Sequence, residues 1–79
     1  MSVNIEMPKL SDTMTEGTLI KWHKKVGESF VEGDPIYEVE TDKVTQVVDA
    51  SGNGTMLEIL VPEGEEAQVG DAICVVEAG

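Results

Sequence analysis

Apolar and polar residues alternate at the start of the chain, with Val3, Ile5 and Met7 interleaved with Ser2, Asn4 and Glu6. That is the two-residue period of a strand with one buried face. The runs at 18–22, 35–41, 44–50, 55–61 and 72–77 are short, rich in Val, Ile and Thr, and bounded by Gly, Pro, Asp or Asn, so each reads as a strand. VGES, EGDP, SGNG, PEGE and VGDA lie between them, each with a glycine that can take the positive φ of a turn. No stretch sustains a helical apolar period. The pattern predicts an all-β fold of about six to eight short strands, arranged as two sheets or a flattened barrel.

The pattern also repeats. Shifted by 37 positions, GTLIKWHKKVGESFVEGDPIYEVE (residues 17–40) aligns without a gap on GTMLEILVPEGEEAQVGDAICVVE (residues 54–77), with nine identities. Gly17/Gly54, Gly27/Gly64, Gly33/Gly70, Asp34/Asp71, Ile36/Ile73 and Val39/Val76 are among them, and Asp12/Asp49 extends the offset upstream. Two copies of one unit imply a two-fold relation in which each copy gives half of the fold. The same offset carries position 42 to position 79, so the junction Thr41–Val44 between the copies becomes the mate of the chain ends. Lys43 is then expected at one end of the molecule, with the termini at the other.

Composition narrows the chemistry. The 79 residues hold 16 acids against five lysines, for a net charge of −11. Nucleic acid and anionic membranes are recognised through clustered cations, so neither is expected as a partner. The apolar runs are only a few residues long, far below the roughly 20 needed to span a bilayer, and Met1 leads into polar residues rather than a leader. This gives the expectation of a bacterial cytoplasmic protein, with the mitochondrial matrix as the alternative. The chain is short enough for one domain, 1–79, with a small core that is mainly aliphatic because its aromatics are only Trp22, Phe30 and Tyr37.

Charge is placed unevenly. Residues 1–25 carry a net of +1 and residues 26–79 a net of −12, the second stretch holding a single cation, Lys43. Side-chain catalysis is not expected: the one histidine, His23, reads as a solvated strand residue, and no zinc, phosphate-loop or paired-cysteine spacing occurs. Cys74 in AICVVE reads as a small buried strand residue. Glu63, Glu65 and Glu66 lack the spacing of a calcium loop and read as a solvated face, as does Lys21–Lys25. Asn53-Gly54-Thr55 reads as hairpin turn chemistry. Lys43 stands apart. It shares a two-residue turn with Asp42, lacks the usual turn glycine, and is flanked by the anions Glu40 and Asp42, a setting poor for an unaided amine nucleophile and suited to enzymatic modification.

The motifs PKLSDTMTEG (8–17), KKVGE (24–28), EGD (32–34) and ETDK (40–43) together resemble the lipoyl domain at the amino terminus of the dihydrolipoamide acyltransferases of 2-oxo acid dehydrogenase complexes. The resemblance spans the whole chain. It implies a flattened barrel of two four-stranded antiparallel sheets with internal quasi-two-fold symmetry, and lipoate in amide linkage on Lys43. It implies that Thr41, Asp42 and Val44 present that lysine and that the loop Leu10, Ser11, Asp12 and Thr13 is read by partners. It further implies a carrier with no metal and no catalytic residue of its own, monomeric in isolation and part of a longer acyltransferase chain. The implied partners are a thiamin-diphosphate decarboxylase that reductively acylates the arm, an acyltransferase core that moves the acyl group to coenzyme A, a dihydrolipoamide dehydrogenase that reoxidises it, and a lipoyl ligase or transferase. LSDTMTEG looks like the pyruvate or acetoin type, while WHKK and ETDKV also resemble the 2-oxoglutarate type; pyruvate is favoured. A biotinyl carrier, which flanks its lysine with methionines, and an unmodified interaction module are the alternatives. Amide formation would take the net charge from −11 to −12, so basic partner surfaces and salt-weakened association are expected.

Overall fold

The computed structural model describes residues 1–79 and contains eight strands and no helix: β1 (Ser2–Glu6), β2 (Glu16–Trp22), β3 (Ser29–Phe30), β4 (Pro35–Glu40), β5 (Thr45–Asp49), β6 (Gly54–Ile59), β7 (Glu66–Gln68) and β8 (Ala72–Ala78). They form two four-stranded antiparallel sheets in the orders β1-β8-β6-β3 and β5-β4-β2-β7. Every strand run expected from the sequence is present. The two short edge strands β3 and β7 were not among them.

The two-fold relation holds down to individual pairs. Leu19 faces Val39 as Met56 faces Val76, and both ladders slip at the same place, before Lys21 and before Glu58. Gly27 (φ 91°) and Gly64 (φ 89°) are mates at equivalent turns. Such a φ is open to glycine at little steric cost. Halves are not separate, however. Each copy supplies one edge strand to the other copy's sheet, since β3 joins β6 and β7 joins β2. The sheets therefore interlock, and neither copy could complete its sheet alone.

The core lies between the inner faces: Met7, Leu19, Met56, Ile73, Val39 and Cys74 are almost wholly excluded from water, with Phe30, Ile36, Tyr37 and Val76 around them. No charged side chain is buried. Burial pushes the Cys74 thiol up to about 11 and the Tyr37 phenol up to about 12, because ionising either group there would lose hydration. Cys74 is thus the inert strand residue expected from its sequence setting.

Three readings are corrected. His23 lies just beyond β2 and is not freely solvated: it is half-buried, with Nε2 2.7 Å from Glu38 Oε2, because the β2–β4 pairing sets the two side by side. Asn53-Gly54 is not a hairpin turn. It lies where the chain crosses from one sheet to the other, and the Asn53 Oδ1 accepts the Glu32 amide at 3.0 Å. The Lys21–Lys25 segment is likewise more engaged than a solvated face, as Lys24 Nζ lies 3.5 Å from Asp34.

The lysine turn and the loop beside it

β4 ends at Glu40 and β5 begins at Thr45, leaving Thr41–Val44 as the turn. Asp42 and Lys43 occupy its tip with negative φ, so it is not the mirror-image hairpin turn that asks for Asn-Gly. Thr41 replaces that chemistry with its side chain. Its amide donates to the Val44 carbonyl at 2.8 Å, while its hydroxyl accepts the amides of Lys43 at 3.4 Å and Val44 at 3.3 Å. A short polar side chain that bonds to the next residues is a common way to hold a turn.

The tip is exposed. Asp42, Lys43 and Val44 all face solvent, and the Lys43 amine makes no ion pair. Beside the turn lies an open depression of about 500 Å³, into which Ser11, Thr13, Met14, Glu16, Glu66 and Lys43 all look. The loop expected near the lysine is therefore there, although only two of its four named residues, Ser11 and Thr13, line the depression. Leu10 packs against the core and Asp12 points to solvent.

Sequence reasoning missed two carboxylates. Glu16 and Glu66 are far apart in the chain, but β2 pairs with β7 so that Glu66 lies opposite Thr18, one diagonal from Glu16. A hydrogen bond and charge repulsion from Glu66, with Asp42 adding a smaller repulsion, raise the Glu16 carboxyl above its ordinary value. Nothing in the local sequence around either residue signals the other. No cluster in the chain has the make-up of a metal site.

Residues 3–76 match the biotin/lipoyl family, described as biotin-requiring enzymes. The fold matches the solution structure of the lipoyl domain of the 2-oxoglutarate dehydrogenase complex from Azotobacter vinelandii with a TM-score of 0.82 and 32% identity, covering 98% of both chains. The chain is a lipoyl domain. It is 47% identical over 78 residues, 99% of its length, to the dihydrolipoyllysine-residue acetyltransferase component of the pyruvate dehydrogenase complex of Rhizobium meliloti. It is 43% identical over 75 residues, 95% of its length, to the succinyltransferase component of the 2-oxoglutarate dehydrogenase complex of Staphylococcus saprophyticus. The lipoyl domain spans only 17% and 18% of those two relatives. Lipoate, held covalently on a lysine, is the cofactor of such domains, and both relatives are components of 2-oxo acid dehydrogenase complexes.

Proposed function

We propose that Lys43 is the attachment residue, carrying lipoate in amide linkage, and that the domain moves acyl groups between active sites of a 2-oxo acid dehydrogenase complex, with pyruvate as the preferred 2-oxo acid. The observation that carries the assignment is the Lys43 amine: exposed, without an ion pair, at the tip of a hairpin whose backbone is tied by Thr41. The donor set fits the group, since an amide needs one accessible primary amine and Lys43 is the one lysine in the turn and in the lining of the depression beside it. When attached, lipoate supplies a dithiolane that takes up an acyl group together with two electrons. The chain's own residues act by presentation. Thr41 limits the directions in which the turn can point, Asp42 and Val44 form its flanks, and Leu10–Thr13 lie alongside as a surface for partners.

A domain without a cleft of its own suits this role, because tethering raises the concentration of the lysine arm at each partner's active site. The partners on this reading are a thiamin-diphosphate decarboxylase, the acyltransferase core, dihydrolipoamide dehydrogenase and the ligase or transferase that modifies Lys43. The methionine neighbours of a biotinyl lysine are missing, as Asp42 and Val44 flank Lys43.

Intact mass spectrometry after incubation with a lipoyl ligase, ATP and lipoate should show one adduct on the wild-type chain and none on Lys43→Arg, whose guanidinium keeps the charge but is not acylated. Reductive acylation of the modified domain should then be faster with a pyruvate decarboxylase component than with its 2-oxoglutarate counterpart. An adduct on Lys43→Arg, or biotin in place of lipoate, would overturn the assignment.

A further inference from the structure

The internal two-fold exposes a part of the molecule that the repeat does not explain. β1 and β5 are mates at an offset of 43, pairing Ser2 and Glu6 with Thr45 and Asp49 in matching registers against β8 and β4, so the Asp12/Asp49 match at 37 is not part of the two-fold. β2 and β6 are mates at an offset of 37, so the connection from β1 to β2 is six residues longer than its mate from β5 to β6. The shorter connection crosses between the sheets through Ser51, Gly52 and Asn53, none of them buried. The scaffold therefore needs only a short crossing. The extra length lies beside Lys43.

Leu10 packs part-buried against the core, and one side chain of that extra length, Met14, is buried. Met14 is 7% exposed, buried among loop neighbours that are mostly open to water. Its Sδ accepts the Leu10 amide at 3.1 Å, its own amide donates to the Ser11 carbonyl at 3.1 Å, and its methyl lies 3.0 Å from where a Gly17 side chain would begin. The equivalent space at the other end, over Gly54, is filled by Phe30. The mate of Phe30 is Ala67, which faces Gly17 as Phe30 faces Gly54. Ala67 is too short to reach across, and in place of a ring the space over Gly17 is closed by Val39, by the Met14 methyl from the loop and by Met7.

We propose that Met14 is a positioning residue: by helping to close the space left by Ala67 it pins the Leu10–Thr13 segment against the lysine turn in the geometry that the decarboxylase partner reads. The inference rests on the carrier reading given above. A methionine suits the role because its unbranched, polarisable side chain conforms to an irregular gap. Met14 is buried under the loop and is placed to act through it.

The test uses the lipoylated chain in three forms: wild type, Met14→Ala and Met14→Leu. In Met14→Ala the amides of residues 9–13 should gain fast motion by NMR relaxation while those of the strands keep their order parameters. kcat/KM for reductive acylation by a pyruvate decarboxylase component should fall about tenfold or more, mainly through KM, as expected when a docking element is misplaced by about an ångström. Met14→Leu, which refills the space, should recover to within about twofold. Attachment of lipoate should proceed at similar rates in all three, because the turn itself is unchanged. Met14→Val carries the same test if the alanine form does not fold. Loop amides as ordered in Met14→Ala as in wild type, or a loosened loop with unchanged kcat/KM, would overturn the inference. Wild-type chain that takes no lipoate at Lys43 would instead overturn the carrier reading, so the two failures are distinguishable.

Discussion

The two ends of this domain are built on one plan and used differently. At one end Thr41 donates its amide to the Val44 carbonyl at 2.8 Å; at the other, Ala78 donates to the Met1 carbonyl at 3.0 Å. These are the same bond under the two-fold, closed by a turn in one place and left open as chain ends in the other. Around it the side chains diverge. Glu16 and Glu66 at the lysine end occupy the positions of Asn53 and Ser29 at the terminal end, and Glu77 pairs with the Met1 ammonium whereas its mate Glu40 has no cation. Since Asn53 and Ser29 are neutral, the fold does not require acids at the positions of Glu16 and Glu66. The comparison separates what the scaffold needs from what the lysine turn adds.

The largest effect that would break the comparison is steric. A Cβ at Gly54 would meet the Glu77 carbonyl oxygen at 2.5 Å and the Phe30 ring at 2.8 Å, whereas at its mate Gly17 it would meet only side chains, Val39 at 2.7 Å and Met14 at 3.0 Å. Gly54→Ala is expected to cost about 3 kcal/mol and Gly17→Ala about 2 kcal/mol, within the range typical of overpacking. At Gly17 the Met14 end can move although the stiff, buried Val39 resists, whereas at Gly54 the nearest atom is paired strand backbone. Urea titrations with unchanged m-values measure the difference. Equal costs would mean that the two ends are packed alike.

A smaller effect tests the turn. Thr41→Val keeps the shape of the side chain and removes its hydroxyl, leaving the Lys43 and Val44 amides to water. The expected loss is about 0.5 kcal/mol, at the low end for a hydrogen bond because both contacts are long and exposed. The lysine end should loosen while the terminal end does not. Amide exchange at residues 42–44 against that at Ala78 reads this directly.

The smallest effect is electrostatic. Because Glu66 raises the Glu16 carboxyl, the folded state holds that proton more tightly than the unfolded chain, so the pair's contribution to stability is greatest below the ordinary glutamate range and is lost as pH rises through the folded-state value. Glu66→Gln should bring the Glu16 titration, followed by its carboxyl carbon resonance, back toward an ordinary glutamate and flatten that part of the pH dependence. An unmoved Glu16 titration would show that the pairing across β2 and β7 is not its cause.

Much of the fold was legible because alternation is a local property. Six strands announced themselves, one by its period and five as short Val-, Ile- and Thr-rich runs between turn residues, and the 37-residue repeat gave the two-fold and the placement of Lys43 opposite the chain ends. β3 and β7, at two and three residues, are too short to show a period; they exist because β6 and β2 offer them an edge. His23 appeared solvated because its partner Glu38 is supplied by the neighbouring strand. Asn53-Gly54 carried a strong hairpin signal, but the strands on either side of it pair elsewhere, and local turn chemistry yields to that. The lysine turn was found because it is contiguous, whereas the Glu16–Glu66 pair is assembled across a sheet.

The residue order thus settled the all-β class, the repeat, the inert Cys74 and the exposed lysine at a glycine-free turn, since each depends on neighbours within a few positions or on a comparison of the chain with itself. Tertiary structure decided the interlocking of the two copies through β3 and β7, the acidic pair beside the turn, and the burial of Met14 over Gly17. Those features depend on which strands share an edge and on how much space one side chain leaves for another. Ala67 in place of a second Phe30 reads as a trivial difference along the chain. In three dimensions it opens the space that Met14 helps to close.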